Sequence, residues 1–167
     1  METVRRRSLT ERMRDAALLR AEAYEEVEAD RDATAQAALV VGIVAVASAV
    51  GGVREGAAGF FGGLAAAYIG WLLWSAITYL IGDKLLGGTA TWGELLRTLG
   101  FAQSPGVLYV LAILPIVGGL VRFAVWIWLL AAGIVAIRQA LDFSTGKAVL
   151  TALLGWLAVL IFGWILG

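Results

Sequence analysis

Few residues in this chain are of a type that does chemistry. Beyond position 32 the sequence carries six Lys+Arg and four Asp+Glu. A centre acting on lipid would have to gather Glu94, Arg97, Arg122, Arg138 and Asp142, and the charge pattern puts Arg122 on the opposite side of a membrane from the others. A path for ions or solutes needs polar groups in the middle of a span. The sequence offers only Ser75 and Thr78 for that purpose. Arg138 and Asp142 stand four apart, a helical pair spacing, and are expected to form an ion pair at the inner interface. There is no Cys and no His. That excludes disulfides, thiolate metal sites and a catalytic Cys, and it removes the commonest general base and haem ligand. The nucleophile-elbow, zincin and P-loop patterns are absent. The expectation is a protein that is not an enzyme, with no metal, no cofactor and no nucleic-acid partner.

The elements around these residues are apolar. Hydrophobic residues make up 60% of the 167 positions and charged residues 16%, against a usual charged share of about 25%. The bilayer is the natural solvent for such a chain. The fold expected is all-α, a polytopic transmembrane helical bundle of about five spans behind a polar N-terminal helix. Residues 1–32 form one unit, a cytoplasmic amphipathic helix, and 33–167 the transmembrane domain. The spans fall at about 33–50, 57–81, 104–121, 120–140 and 147–166. Between the second and third, Thr89–Ala102 reads as an interfacial helix capped by Thr89 or Thr91. Within the third, Pro115 followed by Gly118 and Gly119 marks a helix break: either a kinked span, or a short helix that ends near Leu114 and turns back.

Residues 1–32 hold seven Lys+Arg and nine Asp+Glu. Ser8 and Glu11 have capping-box spacing, and Leu9, Met13, Ala16, Leu19, Ala23 and Val27 make one narrow apolar stripe. Residues 1–20 carry +3 and residues 21–32 carry −5. A helix ending at that acidic cluster would set it on its own negative dipole end, so the helix is expected to continue into the first span. The acidic half is repelled by an anionic leaflet and is expected to dock on another protein. No cleavable signal peptide is visible. With five spans and the N-terminus inside, the inner side holds eleven Lys+Arg and the outer side two, Arg54 and Arg122. The positive-inside rule then places the N-terminus in the cytoplasm and the C-terminus outside the cytoplasmic (inner) membrane.

Small residues supply the packing candidates. Ala35, Ala38, Gly42, Ala45 and Ala49 form one seam, Gly59, Gly63 and Ala67 a second with Gly62, Ala66 and Gly70 alongside, and Ala148, Ala152 and Gly155 a third. Seams of this kind let helix backbones approach closely in lipid. Of seven Trp, Trp92 and Trp164 fit an interfacial belt, while Trp71, Trp74, Trp128 and Trp156 fall deeper.

From Tyr79 onward the order of motifs is specific: a Gly-rich turn, LLRTLGFAQSPGVL, ILPIVGGL, then a helix ending in AIRQALDFSTGKA. This half of the chain resembles the Yip1 family of small five-span membrane proteins, and its bacterial members in particular. Eukaryotic members act in vesicle traffic and bind prenylated Rab GTPases, but their DLYGP-type motif before the first span is missing here. The resemblance implies a fold and a topology and no catalytic residue. The function expected is a non-enzymatic scaffold or accessory subunit of a membrane complex. Its partners would be the lipid bilayer and either other membrane subunits or further copies of itself. A small transporter or channel-like protein is the alternative.

Overall fold

The computed structural model describes the backbone of residues 7–51 and 56–166, and the side chains of 7–51 and 60–158. Its elements are all helical: α1 (Leu9–Ala17), α2 (Ala21–Ala29), α3 (Ala33–Gly51), α4 (Gly56–Tyr79) with a π-helical turn at Leu80–Leu85, α5 (Trp92–Phe101), a 3₁₀ segment (Ser104–Ile113), α6 (Gly118–Ala140) and α7 (Thr145–Leu166).

The polar N-terminus is not one helix running into the first span. It is a helical hairpin, and the breaks occur without Gly or Pro. Leu19 takes a left-handed φ of 60°. The Leu19 N–H then donates to the Ala16 carbonyl and the Arg20 N–H to the Asp15 carbonyl, which is the Schellman arrangement with Leu where Gly is usual. The second break follows α2, where Asp30 turns extended and its carboxylate accepts from the Asp32 N–H at 3.1 Å. At the start of α1 the capping box closes as its spacing implies, Glu11 N–H to Ser8 Oγ at 3.3 Å and Ser8 N–H to Glu11 Oε2 at 2.8 Å.

Three helices among the described residues are long and apolar enough to cross a membrane: Ala33–Gly51, Phe60–Leu85 and Gly118–Ala140. Thr145–Ala158 is a shorter apolar helix. The five expected spans are therefore three by this measure. The expected third span, 104–121, departs most. It is a 3₁₀ segment to Ile113, an extended Leu114, a turn, and then a new α-helix from Gly118. Pro115 has no N–H to donate and a ring that bars a continuous helix, and the Gly118 N–H donates to the Leu114 carbonyl at 2.8 Å to close the turn.

The bundle packs around α3. Its enclosed face is Ala33, Ala37, Val40, Val41, Val44 and Ala47. A Cβ on Gly100 would lie 2.7 Å from Ala37 Cβ, one on Gly106 would lie 2.5 Å from Val44 Cγ1, and Gly51 abuts the Tyr109 carbonyl. The numbers rise together on both sides, so α5 and the 3₁₀ segment run parallel to α3 in close backbone contact. Phe101 and Leu95 from α5 and Ala132, Ala136, Ile137 and Ala140 from α6 join the same core as Ala16, Tyr24 and Val27 of the hairpin.

Candidate functional site

The polar groups of the chain converge where the hairpin meets the bundle. Arg12, on the inner face of α1, is 2% exposed. Its guanidinium donates to Glu26 at 3.0 Å, to Asp30 at 2.7 Å and to Gln36 of α3 at 2.9 Å. One side chain thus ties α1, the end of α2 and the first turn of α3. Burial works against the Arg12 charge, but the bonds to Asp30 and Glu26 outweigh it and hold its pKa above the ordinary value. Arg97 of α5 is also buried and donates to the Val27 carbonyl at 2.9 Å and to the Glu28 carbonyl. Those carbonyls belong to the last turn of α2, where an N–H partner is lacking and a cation is favoured. The acidic end that would be unfavourable in isolation is neutralised here by Arg97 and Arg12.

Three more bonds complete the seat. The Tyr24 hydroxyl donates to the Ala16 carbonyl at 2.9 Å, the Trp128 indole N–H donates to the Ala17 carbonyl at 2.7 Å, and the Gln139 amide donates to Glu25 at 2.8 Å. Burial pushes the Tyr24 hydroxyl pKa far up, so it stays a donor. Glu28 sits beside the clamp. Its carboxyl is pushed up to about 7, chiefly by burial, then by the neighbouring Glu94, Asp142 and Glu25, with Arg97 acting the other way. Among the described residues no group of three acids is placed to hold a metal ion. The arrangement is a latch that ties the hairpin to the bundle.

The N-terminal unit was expected to dock on another protein. Within its own chain it packs on α5 and α6 through Arg97, Trp128 and Gln139, and inside the hairpin Arg7, Arg12 and Arg20 pair with Asp15, Glu26 and Asp30. The expected Arg138–Asp142 pair is not the contact either residue makes. Asp142 has φ 53° and occupies the left-handed position of a second Schellman turn, with the Phe143 N–H on the Arg138 carbonyl. It has left the helical face that four-residue spacing assumes. Asp142 accepts from Thr89 at 2.7 Å and Arg138 donates to Gln139 at 2.9 Å.

The small-residue seams divide. Ala35 is exposed and Ala38, Gly42, Ala45 and Ala49 are half-buried at the flank of the enclosed face. Tyr68 of α4 reaches this flank and donates to the Ala38 carbonyl at 3.0 Å beside Gly42. Gly63 is exposed and Ala67 half-buried, whereas Gly59 lies outside the residues described for contacts. Ala148 is fully buried, and Gly155 meets Trp74 and Ile77. Ser75 and Thr78 are fully buried, and Ser75 donates to the Trp71 carbonyl one turn back. Arg54 falls in 52–55, outside the described residues. Arg12 and Arg97 were not singled out as buried. The signal for Arg12 was its place between Leu9 and Ala16 on the apolar stripe, where a solvated Arg has no reason to stand.

An all-α bundle with apolar helices long enough to cross a membrane defines a polytopic integral membrane protein. The Yip1 domain model matches residues 18–167, and the chain belongs to the Yip1 family. The match begins at the hairpin turn, so it takes in α2 as well as the half of the sequence that carries the resemblance. No curated protein and no solved structure matches the chain.

Proposed function

We propose that the protein is a scaffold or accessory subunit of a membrane complex, and that it binds another subunit or a further copy of itself through the outer half of α4. The observation that carries this reading is an unfilled face. A Cβ added at Gly62 or Gly63 would meet nothing within 4 Å, and Phe61 beside them is 67% exposed. In lipid, helices associate through close packing over small residues rather than through hydrophobicity, so this is the part of α4 suited to a second helix.

The same reading takes five crossings, with the N-terminus and the hairpin in the cytoplasm, the C-terminus outside and the chain in the cytoplasmic membrane. The fourth and fifth crossings are α7 and a composite of α5 and the 3₁₀ segment. Ten residues at 1.5 Å and ten at 2.0 Å give about 35 Å, enough for a core of about 30 Å. The absence of native Cys makes the test simple. A single Cys in place of Gly63 should form an oxidative cross-link to a second chain in native membranes, and one in place of the fully buried Ala37 should not. Equal yields at the two positions would remove the α4 face from the argument.

A further inference from the structure

The tip of the hairpin lies far along helices of membrane length. The Gln139 amide meets Glu25 in the last turn of α6, and the Trp128 indole meets the Ala17 carbonyl at the tip. Residues 128 to 139 of α6 separate the two bonds, about 16 Å. A second register agrees. The α1 helix packs on the 3₁₀ segment, and Gly106 of that segment abuts Val44, past the middle of α3. At the level of the tip, Ile127 and Leu130 flank Trp128 on the surface of α6, and both are exposed. An exposed apolar surface on a membrane-length helix is a surface for lipid.

The tip is built for the same solvent. Leu18, where α1 ends, is 52% exposed. Beside it, Arg14 and Arg20 both donate to the Oδ1 atom of the buried Asp15, each at 3.0 Å. Two exposed guanidinium groups thus stand together on one carboxylate, and Arg7 adds a further contact to it. Glu22 is the nearest exposed acid in the sequence. We propose that the hairpin tip is seated in the leaflet on its own side of the bilayer, with Leu18 among the acyl chains and Arg14 and Arg20 together on one phosphate of an anionic glycerolipid. A guanidinium carries more N–H donors than Asp15 takes, and the rest match phosphate oxygens. Long Arg side chains reach the headgroups from a deeper backbone, and the bilayer thins toward them. A soluble acidic protein would have to displace lipid from α6 to reach this depth, so the lipid itself is the occupant. The seat requires α6 to cross the bilayer and is independent of the α4 face.

The chain has no native Cys, so a single Cys can carry a fluorophore at Leu18, with the exposed Ala29 at the far end of α2 as the reference. The full chain would be reconstituted in vesicles of phosphatidylglycerol and phosphatidylcholine. It would then meet, in turn, a lipid with a nitroxide on its acyl chain and aqueous iodide on both sides of the vesicle. The Leu18 probe should be quenched severalfold more than the Ala29 probe by the nitroxide, and severalfold less by iodide. Arg14→Gln combined with Arg20→Gln should remove most of the nitroxide quenching at Leu18, and so should vesicles of phosphatidylcholine alone. Arg14→Lys combined with Arg20→Lys should restore most of it, which separates lost charge from lost fold. The proposal is overturned if iodide reaches Leu18 as well as it reaches Ala29, if neither quencher reaches Leu18, or if the paired Gln variant is quenched like wild type.

Discussion

Replacing Arg12 by Met should release the N-terminal hairpin while leaving the bundle folded. Arg12 is 2% exposed and Met preserves much of its apolar stem, so the change removes charge and hydrogen bonds rather than volume. Breaking a buried ion pair by deleting one partner costs about 3–5 kcal/mol, because the other charge is left uncompensated. Two features of this site point to the lower end. Glu26 keeps Arg7 at 3.2 Å, and the Glu26 side chain is 28% exposed. Asp30 loses its 2.7 Å contact with Arg12, but it is 15% exposed and keeps the bond from the Asp32 N–H at 3.1 Å. About 3 kcal/mol corresponds to roughly a hundredfold shift toward the undocked hairpin. Amide hydrogen exchange in α1 and α2 should quicken by about that factor, and protease should cut at Leu18–Arg20 or Asp30–Asp32. Exchange in α3 and α6 should change little. Arg14→Met is the control, since Arg14 is 65% exposed and its pair with Asp15 is worth at most about 1 kcal/mol. Unchanged exchange in α1 and α2 of Arg12→Met would refute the idea that this residue holds the hairpin.

Docking should also depend on pH through Glu28. Its carboxyl lies above the ordinary 4.5, at about 7, in the docked state, so docking is fully favoured below pH 4.5, weakens as the pH rises toward 7 and is level above it. Hairpin protection factors, which divide out the base-catalysed intrinsic exchange rate, should therefore be larger at pH 5 than at pH 8, and Glu28→Gln should flatten the difference. Trp128→Phe removes the bond to the Ala17 carbonyl and should cost about 1 kcal/mol, seen as an approximately fivefold rise in α1 exchange. Gly100→Leu forces side-chain atoms into Ala37 of α3 and should lower the melting temperature of the detergent-solubilised protein well below that of Gly119→Leu, which points into open space.

The apolar helices and the capping box at Ser8 are legible in the sequence because they rest on local rules: a run of apolar residues, and a hydroxyl three positions before a glutamate. What is not legible is set by tertiary contact. Nothing local announces that Leu19 and Asp142 adopt left-handed φ, yet these two residues turn one helix into a hairpin and take Asp142 away from Arg138. The face of α3 that is enclosed is chosen by where α5 and the 3₁₀ segment lie. The seam from Ala35 to Ala49, read on α3 alone, sits beside that face and not on it. Arg12 and Arg97 look like surface charges until α2 presents its carboxylates and its last carbonyls to them.

The central claim is that this member of the Yip1 family works as a subunit that binds through the open outer half of α4. The measurement that meets it most directly is the mass of the protein extracted gently from native membranes, for wild type and for Gly63→Leu. Gly63 is exposed and faces open space, so its replacement leaves the fold alone. The account predicts that wild type migrates in an assembly heavier than one 17.7 kDa chain, and that Gly63→Leu migrates as a single chain with the same melting temperature. Wild type running as a single chain, or Gly63→Leu remaining in an unchanged assembly, would contradict it.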